Sequence, residues 1–141
     1  MSQEKWIFGA TAIGFAGFGI ALLIFPNLIG LVGVKELAPS GMVEIRAFYG
    51  GLELGIALFF LLALNRPKWM KPALVLQVCL LGGVAIGRIF GLVVIHWQAK
   101  PIIYLILAAE LILAILGAIT LFSNNKAKKK NEFGIDKTNL R

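Results

Sequence analysis

The chain has 141 residues, of which 59% are apolar and only 15% charged, with a mean hydropathy of +0.87. That composition cannot furnish the polar surface a soluble domain of this size needs. The net charge of +7 suggests nucleic acid until its placement is read. Six of the fourteen Lys and Arg lie beyond Phe122, four of them in the run KAKKK from Lys126 to Lys130. This is the pattern of a topology signal that also meets anionic lipid head groups, so membrane lipids are expected partners and nucleic acid is not.

Four apolar runs follow one another, at residues 6–25, 45–64, 73–95 and 102–122. Each is ~20 residues, enough to cross a hydrocarbon layer of ~30 Å as a helix. A lipid-facing backbone must satisfy its own hydrogen bonds, and these runs lack the alternation of a barrel. The expected fold is all-α: an integral membrane four-helix bundle over residues 1–123, followed by a basic, flexible tail at 124–141.

The first span is rich in Gly and Ala, which favour close helix packing in lipid, and is expected to stay rather than be cleaved as a signal peptide. Pro26 ends it, and the apolar segment 27–34 beyond is expected as a tilted helix end or a stretch along the interface. The stretch APSG (38–41) reads as a turn, as does NRPKWMKP (65–72). HWQAKP (96–101) reads as the opposite turn, with Trp69 and Trp97 as interfacial aromatics. Ten Lys and Arg fall on the side of the N-terminus, the 65–72 turn and the tail, against Lys35 and Lys100 on the other. Positive-inside then expects both termini in the cytoplasm of a bacterial inner membrane protein.

Charges inside the spans are the informative departure from this pattern. Counting from the outer side at ~1.5 Å per residue, Glu53 lies ~13 Å deep and Arg88 and Glu110 each ~12 Å. Three ionisable residues from three helices are thus expected at one level. On a regular helix Arg46, Tyr49, Gly50 and Glu53 share a face, so the expected binding pocket comprises Arg46, Tyr49, Gly50, Glu53, Arg88 and Glu110. Glu44 and His96 are expected at its mouth. Gly83, Gly87 and Gly91 form a stripe that admits a neighbouring backbone. Gln77, nearer the cytoplasmic side, is expected to bond a neighbouring helix, and Tyr104 is a candidate donor into the pocket. An unpaired charge in a membrane costs at least ~2.5–3.5 kcal/mol, so such residues turn inward and mark function by default. The competing reading is a salt-bridge network that only fixes helix register. Cys79 is the single cysteine and His96 the single histidine, so no metal set, nucleophile or catalytic group is expected.

The motifs VEIRAFYGG (43–51), GRIFG (87–91) and LAAELILAILG (107–117) resemble a family of small bacterial four-helix membrane proteins of unknown function, related to the DoxX-like group. The resemblance implies a four-helix bundle whose polar centre holds Glu44, Arg46, Tyr49, Gly50, Glu53, Gly87, Arg88 and Glu110. It implies no reaction.

The favoured reading is a binding protein whose pocket holds an amphipathic small molecule, a lipid or quinone head group, or a partner's transmembrane segment. In it Arg46 and Arg88 meet anionic or carbonyl oxygens. The alternatives are a proton-coupled transporter working as a homodimer through the glycine stripe, and a quinone-linked membrane oxidoreductase subunit. Enzymatic activity is left open, with no resident cofactor expected beyond a bound quinone or lipid.

Overall fold

The protein was analysed as a computed structural model, which describes residues 3–35 and 38–138, with side chains from 5 to 35 and 38 to 123. Residues 1, 2, 36, 37 and 139–141, the last including the end of the expected tail, lie outside the described residues. Helix α1 covers Gln3–Ile24, and a 3-10 helix follows at Pro26–Val32. Helix α2 (Pro39–Glu44), a π-helical segment (Ile45–Gly51) and α3 (Leu52–Leu64) form a continuous rod. Helix α4 covers Pro67–Val94 and α5 covers Pro101–Thr138. There is no strand among the described residues.

Four helices are long and apolar enough to cross a membrane: Lys5–Ile24, Pro39–Leu64, Pro67–Val94 and Pro101–Ser123. Only 22–28% of each apolar window is buried within the protein. Outward-facing Ile13, Ile86, Phe90 and Leu105 are each at least 67% exposed. A soluble protein could not leave so much apolar surface in water; lipid would cover it.

Three boundaries differ from the sequence reading. APSG is not a turn, because Pro39 opens α2 with Ala38 extended before it. Proline suits the first helical position, where its missing N–H is no loss and its φ is already helical. Pro67 opens α4 for the same reason, so the second connection shrinks to Asn65 and Arg66, with Pro72 inside the helix. The segment after Pro26, expected as a tilted helix end or a stretch along the interface, forms a helix of its own after a break at Phe25. It is a 3-10 helix closed by Gly33 at φ 107°, a left-handed conformation that glycine adopts without strain. The basic run after the fourth span continues the backbone of α5.

Helix α1 packs along the π segment and α3 of the rod, while α4 packs along α5. At the Asn65 end the two pairs are joined by a core of Phe8, Ala12, Phe60, Ala63, Ala73 and Leu74, all at most 1% exposed. Phe8, Phe15 and Phe59 surround Phe60 at ring distances of 5.6, 6.5 and 6.0 Å, and Trp69 extends the cluster from Phe59 at 5.6 Å. At the opposite end a second cluster, Ala85, Leu92 and Leu107, holds only α4 to α5.

The closest backbone approach joins α1 to the π segment. A Cβ on Gly50 would stand 3.0 Å from the Leu23 Cα, and one on Gly19 would stand 3.0 Å from the Gly50 carbonyl oxygen. Small residues permit such contact in lipid, where packing rather than water exclusion holds helices together.

Candidate functional site

Between the two helix pairs, away from the Asn65 end, lies a half-open cavity of about 600 Å³. Every span contributes to its wall: Thr11, Phe15 and Phe18 from α1, Tyr49 and Glu53 from the rod, Arg88 from α4, and Glu110 from α5. Ile29 and Val32 of the 3-10 helix, with Val34 just beyond it, line it from above. The 3-10 helix is tied down by Lys100, whose Nζ donates to the Gly30 carbonyl at 3.1 Å. The volume and the mix of apolar wall with a few polar groups are those of a small-molecule site.

Arg88 and Glu110 meet as a fork: Nε donates to Oε2 at 2.9 Å and Nη2 to Oε1 at 2.7 Å. The side chains keep 24% and 11% of their exposure, so the pair is largely removed from solvent. Two parallel charge-assisted bonds fix both the distance and the plane of the guanidinium. Glu53, half-buried on the facing rod, has no hydrogen bond or ion pair among the described residues. Tyr49 stands one turn away from it, with 44% exposure.

The sequence-predicted residues divide. Tyr49, Glu53, Arg88 and Glu110 come together on one cavity. Arg46 does not join them: its Nε donates to the Leu23 carbonyl at 3.1 Å, and it lines a separate recess with Phe25 and Asn27. The helical-wheel expectation assumed a regular α-helix between 46 and 53. The π segment bonds i to i+5, as Leu52 N–H does to the Ala47 carbonyl, so the seven-residue separation no longer closes two turns. Arg46 instead serves a carbonyl in the last turn of α1, which has no acceptor role left within its own helix.

Gly50 is buried against Leu23 rather than lining the cavity. Gly83, Gly87 and Gly91 are exposed, with open space where a Cβ would stand, so among the described residues no neighbouring helix packs onto the stripe. Glu44 is exposed and does not line the cavity, but it borders a second recess that Tyr49 and Glu53 also line. His96 and Trp97 lie in the turn between α4 and α5 with φ of 50° and 61°, and neither lines the cavity. Tyr104 donates to the Trp97 carbonyl and so braces that turn instead of pointing inward. Gln77 bonds a neighbouring helix as expected, its Nε2 donating to the Leu113 carbonyl at 2.9 Å.

One residue escaped the sequence reading. Thr11 is 1% exposed, lines the cavity, and its hydroxyl has no hydrogen-bond partner. It is the single polar residue between Trp6 and Phe25, and that isolation was the available signal. No group of three or more His, Cys, Asp or Glu able to hold a metal occurs among the described residues.

No curated protein and no solved structure matches the chain. Residues 3–121 match a family described as a domain of unknown function (DUF4345), with nothing in that match to tie it to the DoxX-like group. The match takes in the first three spans, the fourth as far as residue 121, and each cavity-lining residue named above, and the chain belongs to the DUF4345 family.

Proposed function

We propose that this is a small multi-pass membrane protein that binds an amphipathic small molecule in the cavity between its helix pairs. One observation carries the reading: a cavity of about 600 Å³ with apolar walls also gathers Tyr49, Glu53, Arg88 and Glu110 from three spans. A network that only fixed helix register would bury its charges against each other and leave no adjoining space. Here one carboxylate lies apart from the ion pair. The head group of the ligand would sit at these side chains and its hydrocarbon against Phe15, Phe18 and Leu105.

The distribution of Lys and Arg supports an orientation with both termini in the cytoplasm, which turns the 3-10 helix and the cavity toward the outer side of a bacterial inner membrane. Kinship with DoxX-like proteins, implied by the three motifs, belongs to the same proposal, and fold analogy alone would assign no reaction.

Native mass spectrometry of the detergent-purified protein tests the binding role. A defined small molecule should travel with the wild type and be lost from folded Glu53→Gln. If the wild type carries nothing, and lipid extract added back leaves its mass unchanged, the binding reading is wrong and the cavity contacts another membrane protein.

A further inference from the structure

The cavity is lined by two carboxyl groups and one basic side chain. Arg88 is the only Lys, Arg or His among its lining residues, and Glu110 already occupies it through two bonds. The other cations near this end are engaged elsewhere or lie off the cavity. Arg46 bonds the Leu23 carbonyl and Lys100 bonds the Gly30 carbonyl, while Lys35, next to the lining residue Val34, and His96 do not line the cavity. Glu53 is left as a carboxyl without a counter-ion among the described residues.

Three further groups face the same space. Thr11 presents a fully buried hydroxyl with no partner, and that oxygen can accept a hydrogen bond. Tyr49 presents an aromatic face, which attracts cations through its ring quadrupole. The N–H groups of Arg88 not used by Glu110 suit neutral acceptors, whereas a full negative charge would meet the Glu53 and Glu110 carboxylates in a poorly screened site.

Resting on the binding role proposed above, we infer that the head group this cavity takes is an ammonium ion, the opposite sign to what Arg46 and Arg88 suggest from sequence. The ligand is an amphiphile whose ammonium meets Glu53, Thr11 and Tyr49, with its chain along Phe15, Phe18 and Ile106. It completes the charge balance that the protein leaves open, and no bond is made or broken.

The test compares four probes with the same tail or head by native mass spectrometry from maltoside micelles: dodecylamine, dodecanol, dodecanoate and phosphatidylethanolamine. Dodecylamine should bind at least about tenfold more tightly than dodecanol or dodecanoate. Glu53→Gln should lose that preference, and Thr11→Val should weaken dodecylamine less. Displacement of dodecylamine by phosphatidylethanolamine marks a lipid as the natural source of the ammonium, and failure to displace marks a free amine; both keep the inference. Dodecanol or dodecanoate binding as tightly as dodecylamine overturns it and leaves the pocket reading intact. If no probe binds at all, the pocket reading fails and this inference with it. Should Glu53→Gln not fold, the wild-type series of head groups decides alone.

Discussion

The two ends of this bundle are built from different materials. At the Asn65 end, Phe8, Phe60, Ala63 and Leu74 are packed to at most 1% exposure and draw α1, α3 and α4 together. At the other end a cavity lies between the helix pairs, and its polar bond, Arg88 to Glu110, is made within the α4–α5 pair. Lipid gives no hydrophobic drive to helix association, so close packing at one end must hold what the other end leaves open. The difference separates a part of the chain that keeps it folded from a part free to meet something else.

Breaking the ion pair should give the largest effect. Arg88→Ala leaves the Glu110 carboxylate buried without its partner, and we expect a loss of about 3 kcal/mol or more in unfolding free energy in mixed micelles. Arg88→Met combined with Glu110→Leu removes both charges and should recover most of that loss while abolishing ligand binding. A double variant as unstable as the single one would show that the pair organises the fold beyond its charge balance.

Phe60→Ala tests the packed end. In soluble cores this change costs ~3–5 kcal/mol, but the transfer part of that cost vanishes where lipid surrounds the helices. We expect ~2 kcal/mol by thermal or denaturant unfolding, with ligand affinity unchanged in the folded fraction. A specific loss of affinity would erase the distinction between the two ends.

The glycines sharpen the comparison at smaller cost. Gly50→Ala would drive a Cβ against the backbone of Leu23, for ~1–2 kcal/mol of overpacking. Gly87→Ala meets open space and replaces a poor helix former, so it should stabilise the chain by ~0.5–1 kcal/mol. Side-by-side melting of the two variants checks the opposite signs. A destabilised Gly87→Ala would mean that something covers the exposed stripe in solution.

Much of this architecture was legible in the residues, and the reasons differ by region. The four spans follow from hydropathy because an uninterrupted apolar run has one stable form in lipid. The meeting of Arg88 and Glu110 was legible because charges at matching depths on neighbouring helices leave few other arrangements. Arg46 was misplaced because helical periodicity was assumed through a stretch that bonds i to i+5, and IRAFYGG carries no periodic sign of it. The 3-10 cover was missed because residues 27–34 are apolar in any conformation. Thr11 was passed over because a lone threonine in a span ordinarily bonds back to its own helix, as Thr120 does to the Leu116 carbonyl at 2.8 Å.

The π segment gives the second span a gearing that a uniform rod lacks. Seven residues separate Arg46 from Glu53, which on uniform α winding would set the two within ~20° of each other. The slower turn of the π segment holds Arg46 off that face, at the Leu23 carbonyl. A deletion of one residue between Ile45 and Gly51 would restore ordinary winding yet leave only six residues between them, so Arg46 would stay off the Glu53 face. The charge lining of the cavity is therefore set by the winding of the chain at this point as much as by which side chains it carries.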